Sequence, residues 1–134
     1  MFYKYDFANA IEVPEPFKRY ITPIFMGDDE KIKNCAFSIH MTEWEPGRKI
    51  DNHSHPDATE AMFCISGSAD INIGGEKHKF TSGCLIVAEP GVTHEIVNTG
   101  KDMLRVFCVF SPPVTAHSLR ERAMNAVDAN LDIK

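Results

Sequence analysis

An all-β fold, an antiparallel barrel or sandwich with a short C-terminal helix, is what this sequence predicts. Three observations carry that reading. From residue 35 onward, about eight short strand-like stretches recur at even spacing between turn residues, with no helical period among them. Gly74-Gly75 separates two of these stretches in the manner of a two-residue hairpin. Only past Pro112-Pro113 does the apolar period become helical.

The elements follow in order. Residues 1–34 are mixed and aromatic, and Pro14, Pro16 and Pro23 break any long element. Ile21–Met26 reads as a short strand, and Gly27-Asp28-Asp29-Glu30 as a turn. This extension is expected to pack on the barrel or to swap between two barrels in a dimer. The barrel itself is expected over 35–112. Ala36–Thr42 alternates Phe37, Ile39 and Met41 against Ser38, His40 and Thr42. Further strands are expected at Ile50–His55, Glu60–Ser66, Asp70–Ile73, Glu76–Phe80, Cys84–Ala88, His94–Val97 and Met103–Phe110. Residues 113–134 form the tail, where Thr115 caps a helix from Ala116 and Leu119, Ala123, Ala126 and Val127 recur on one face.

Composition bounds the rest. The chain has 134 residues, 43% hydrophobic and 25% charged, which suits one globular domain with its own core. A net charge of −5 and the lack of a basic stripe argue against nucleic acid and anionic membranes as partners. No apolar run approaches the roughly 18 residues of a membrane span. Cys35, Cys64, Cys84 and Cys108 include no C-x-x-C pair and read as buried free thiols. The first residues lack a basic-then-apolar leader pattern, so a reduced cytoplasm is the expected compartment.

The chemistry concentrates between Gly47 and Gly67, which read G-x5-H-x-H-x4-E-x6-G through His53, His55 and Glu60. Two histidines two apart on a strand leave the same face, and a carboxylate opening the next strand can reach an ion held by both. Neutral imidazoles with a carboxylate suit a borderline divalent metal. A second stretch holds Gly83, Gly91, His94 and Asn98. It would bring His94 in on another strand. With each fixed position at an ordinary residue frequency, a chance match to the first pattern arises roughly twice in a million starts.

These two stretches resemble the two motifs of the cupin superfamily. The first matches at every fixed position. The second has Cys84 and Glu89 where the family usually has Asp and Pro, with Pro90 one place later. The resemblance covers about residues 35–111. It implies a jelly-roll barrel, an antiparallel double-stranded β-helix, holding one divalent ion per chain on His53, His55, Glu60 and His94. Fe, Mn, Ni, Zn and Co are all compatible with those donors.

The remaining candidates are read beside it. Met62 and Cys64 share the parity of Glu60 and should face inward, with Ile96, as apolar pocket walls. His40 is a pocket candidate, although an ordinary strand histidine is the plainer reading. Trp44 is expected to pack at the barrel rim. Arg48 and Lys49 have the reach to hold a substrate carboxylate, but a solvated loop is the default. His78 and His117 are expected at the surface. A lyase acting on sulfonium propionates commonly carries Tyr where Met62 stands, and thiol dioxygenases usually lack the Glu that Glu60 supplies, so neither reaction is expected.

Three histidines and one carboxylate leave two positions open on an octahedral ion, a site able to bind a bidentate oxygen substrate or O₂. The expected function is therefore a metalloenzyme acting on a small oxygenated organic molecule, with dioxygenase-type oxidation first and Glu60 doubling as general base. The alternatives are a non-redox isomerase, epimerase or decarboxylase, and a non-catalytic sugar or organic-acid binder. A homodimer is expected, since closed two-fold dimers are the commonest assembly.

Overall fold

The computed structural model describes residues 1–32 and 34–132; the side chains of Asp51 and of residues 125–132 are outside that description, and with them the expected helix positions Ala126 and Val127. Ten strands and one α-helix follow one another: β1 Ile11–Val13, β2 Arg19–Phe25, β3 Ser38–Trp44, β4 Lys49–His53, β5 Thr59–Ser66, β6 Ser68–Ile73, β7 Glu76–Thr81, β8 Leu85–Ala88, β9 His94–Asn98, β10 Leu104–Ser111 and α1 Ala116–Asp132. They form a six-stranded sheet, β1-β2-β3-β10-β5-β8, facing a four-stranded sheet, β4-β9-β6-β7. Every pairing is antiparallel. This is the expected all-β jelly roll with its C-terminal helix.

The turns explain the register. Gly74 and Gly75 both take positive φ, +56° and +88°, as a primed two-residue hairpin between β6 and β7 requires. Gly67, at φ +101°, lets the chain leave β5 with its Cα against β10, where a Cβ would stand 2.9 Å from the Leu104 Cα.

Two apolar clusters hold the molecule. One fills the barrel with Trp44, Met62, Cys64, Ala69, Ile71, Phe80, Ile86, Ile96, Leu104, Val106 and Cys108. The other seals one side, where Val13, Phe17, Ile21 and Met26 of the N-terminal segment meet Leu119 and Ala123 of α1. Thr115 caps α1 by accepting from the Ser118 N–H at 3.0 Å. The N-terminal segment is thus woven into the six-stranded sheet of its own chain through β2, and a second short strand, β1, precedes it. The β1 strand and a 3-10 turn at Phe7–Asn9 carry no period long enough to be read from sequence.

Three expectations are corrected. His55 lies just past the end of β4, which stops at His53. Trp44 is 1% exposed and sits in the interior instead of at the rim, because it follows the inward parity of β3. Only Cys64 and Cys108 of the four free thiols are buried; Cys35 and Cys84 are half-buried and lie outside the strands.

Candidate metal centre and cavity

The inward residues of the six-stranded sheet lie in rows set by strand pairing. His40, Cys108 and Met62 stand opposite one another across β3, β10 and β5, and Phe110 stands opposite Glu60 in the next row. From the facing sheet, β4 and β9 bring His53 opposite His94. Between the sheets lies a cavity of about 470 Å³, walled by residues of both sheets and closed over by Phe17, Leu119 and Arg122.

His53, His55, Glu60 and His94 converge on one point of its wall, with one nitrogen or oxygen from each within 4.8 Å of the others. The ring centres of His53 and His94 are 4.2 Å apart, those of His53 and His55 5.0 Å, and those of His55 and His94 5.4 Å. Although His55 has left the strand, its ring packs edge-on against Phe110 and still turns inward.

The donor chemistry fits a cation. His94 Nδ1 lies 3.3 Å from the Val92 carbonyl oxygen and its Nε2 3.1 Å from Glu60 Oε1, and both oxygens can only accept. A neutral ring has one N–H for these two acceptors, so when Nδ1 carries it the Nε2 lone pair faces the carboxylate. Two lone pairs facing one another in a buried place are stabilised by a cation between them. His55 Nε2 is also buried, 3.5 Å from the same Oε1 but without hydrogen-bond alignment to it or to any other group.

Burial raises the Glu60 carboxyl, but the imidazoles of His55 and His94 beside it outweigh that effect and hold it below the usual carboxylate range. Glu60 also belongs to a second group of close donors, with His40 and Cys108. Burial pushes the His40 imidazole down to about 4, with the Glu60 charge opposing. Burial, and then Glu60, push the Cys108 thiol well up. At neutral pH this wall therefore presents a carboxylate, a neutral imidazole whose Nδ1 has no partner, and a protonated thiol.

Of the expected pocket residues, Met62 and His40 line the cavity, while Cys64 and Ile96 do not. Parity placed both of the latter inward, but they lie farther along β5 and β9, in the packed part of the barrel. Arg48 pairs with Glu15 at 2.9 Å on the surface. His78 and His117 are exposed beside Glu76 and Glu121. Arg19, Cys108, Phe110 and Arg122 also line the cavity and had no motif to mark them; only Cys108 and Phe110 had a signal, their shared parity on β10.

A family model described as the cupin domain matches residues 40–110. The chain is 33% identical to an L-ectoine synthase of Alkalilimnicola ehrlichii over 87 residues, which cover 63% of this chain and 64% of that protein. It is 32% identical to an L-ectoine synthase of Bordetella petrii over 93 residues, 68% of each. The chain thus spans about two thirds of the length of these curated relatives. The crystal structure of ectoine synthase from P. lautus superimposes with a TM-score of 0.67, at 21% identity, over 83% of this chain and 76% of that one. Sequence relatives with a synthase activity overturn the expected dioxygenase-type oxidation, and the non-redox alternative fits them better. The misreading has a chemical reason: three imidazoles and a carboxylate accept several metals and do not select a reaction. Among the described residues, no helix is long and apolar enough to cross a membrane.

Proposed function

This chain belongs to the cupin family, and from that premise we propose that it is a non-redox metalloenzyme of lyase type, acting on the carbonyl of a small polar organic substrate with elimination of water. The observation that carries the proposal is the convergence of His53, His55, Glu60 and His94 on the cavity wall, with one donor atom of each within 4.8 Å of the others. The ectoine synthases among its sequence relatives support the class of reaction.

His53, His55, Glu60 and His94 would hold one divalent ion. Bound there, the ion supplies Lewis acidity toward a substrate oxygen. The protein's own groups do the rest. The apolar walls Ile21, Met62 and Phe110 exclude water, which strengthens every polar contact inside. His40, on the same sheet as Glu60, adds a neutral imidazole to the cavity wall. Glu60, kept ionised and in reach of both donor groups, can accept a proton if it is released from the ion. A homodimer remains part of this reading, supported by Phe63, Ile65, Leu85 and Val87, which stand exposed on the adjacent strands β5 and β8 at one edge of the sheet.

Zinc-loaded protein incubated without oxygen, against small acids bearing amide, hydroxyl or keto groups, tests the activity. Mass spectrometry should find a product lighter by one water. Turnover that needs O₂, or zinc-loaded protein that converts none of the panel, contradicts it.

A further inference from the structure

Arg19 opens β2, opposite Trp44 in the pairing with β3, and both residues line the cavity. It is a half-buried cation. Its Nε is sealed from solvent and has no hydrogen-bond partner. Among the described residues no carboxylate comes within ion-pair distance of it; the centre of the Trp44 ring lies 6.0 Å from its Cζ. Of its three guanidinium nitrogens only Nε is a sealed atom without a partner. Burial lowers the guanidinium to about 10, with the Glu60 charge opposing from across the cavity.

A partly buried guanidinium with a sealed, unpartnered N–H and no adjacent counter-charge is costly to a fold. Glu60 acts on it only at longer range, since its Oε1 lies against His94 and His55 and it forms no ion pair with Arg19. The cost is offset if an anion enters the cavity. We propose that Arg19 is the substrate-anchoring residue and that the anion it takes is the carboxylate of a bifunctional small acid, whose second oxygen function faces the His53, His55, Glu60 and His94 group.

Size and charge select this class. A cavity of about 470 Å³ falls in the lower part of the range for small-molecule sites. The planar fork of arginine matches a carboxylate through two parallel hydrogen bonds. Of the two arginines that line the cavity, Arg19 is the half-buried one and Arg122 is exposed, its guanidinium over the Phe110 ring. One half-buried positive charge balances one carboxylate, whereas a phosphate monoester brings nearly two negative charges at neutral pH. The apolar stretch between the two polar ends, Ile21, Met62 and Phe110, suits a short carbon chain.

The inference rests on the proposed function only for the role of the second oxygen, and the test separates the two. Trp44, the single tryptophan of the chain, is a reporter beside Arg19. Levulinate, a keto acid, is titrated into zinc-loaded protein with its primary amide and inorganic phosphate as controls, following Trp44 fluorescence and calorimetry. Levulinate should bind saturably, and the amide about 10–100-fold more weakly, the worth of a lost charge-assisted pair. Phosphate should not saturate in the same range. Arg19→Gln should lose a similar factor and Arg19→Lys less, both with unchanged zinc content. Levulinate binding that ignores Arg19, equal binding of the amide, phosphate binding as tight as levulinate, or no saturable levulinate binding to the wild type would each overturn the assignment. The amide comparison needs no variant, so misfolding of Arg19→Gln does not blunt it. Protein that takes up no zinc but still binds levulinate through Arg19 would contradict the metalloenzyme reading and leave the anion site standing.

Discussion

Strands β5 and β10 run through two different interiors. At Glu60, Met62, Cys108 and Phe110 they face the cavity, together with the histidines of β4 and β9 and the cation of β2. At Cys64 and Val106, paired across the two strands, they face a dry core shared with Ala69, Ile71, Phe80 and Ile86. The dry half contributes stability through apolar burial. The cavity half spends it, since it keeps a carboxylate, a neutral imidazole and several unpaired polar atoms, the Nε of Arg19 among them, out of water. A rigid apolar frame beside a strained polar site is what a preorganised ligand set requires.

That division can be broken by substitution. Phe80 is fully buried in the dry half. Phe80→Ala should cost about 3–5 kcal/mol by transfer and cavity terms together. Chemical denaturation of the metal-free protein measures it. Zinc affinity below the melting range should stay the same; a weaker zinc site would show that the two halves are not separable.

A smaller effect belongs to the cavity half alone. His40 protonates near 6.5 in the unfolded chain and at about 4 in the fold, chiefly because burial disfavours imidazolium. Between those values the unfolded state binds the extra proton, so stability falls as pH drops from 6.5 to 4 and changes no further from this group below that. The total is about 3 kcal/mol at most. Glu60, whose carboxyl is depressed from its ordinary 4.5, contributes stability above that pH and loses it only below, so from 6.5 to 4.5 the slope is set by His40. Denaturation of metal-free protein across this range should show the slope, and His40→Asn should flatten it. An equal slope in the variant would remove His40 from the account.

The smallest effect concerns the cover. Thr115→Ala removes the cap of α1, which carries Leu119 and Arg122 over the cavity. It should lower stability by about 1 kcal/mol. The melting temperature should fall by a few degrees for a domain of this size; an unchanged value would mean that the apolar face and the Asp28 carboxylate, which accepts from the Ala116 and His117 N–H groups, suffice to hold α1.

The contrast between the halves also explains what was legible in the sequence. Gly47, His53, His55, Glu60 and Gly67 stand close together in the chain, so spacing alone announced their convergence. His94 needed a second motif. Parity showed that Cys64 and Ile96 face inward, but parity gives a face and not a depth along the strand, so both were placed at the wrong part of the barrel. On β3 the alternation allowed either face; the polar set Ser38, His40 and Thr42 turned out to be the inner one, because the cavity there is polar. Arg19 was invisible, since it reaches the site through a long-range pairing of β2 with β3 in a segment without periodicity. The reaction was misread for a different reason: donor type constrains the metal and leaves the chemistry open.

The most direct measurement is the metal content of protein purified without chelator, by elemental analysis, for the wild type and for His53→Ala and Glu60→Ala. The wild type should carry about one equivalent of a divalent ion per chain, and each variant should lose it while keeping the folded near-ultraviolet signal of Trp44. A wild type consistently free of stoichiometric metal, or variants that retain it, would contradict the assignment of His53, His55, Glu60 and His94.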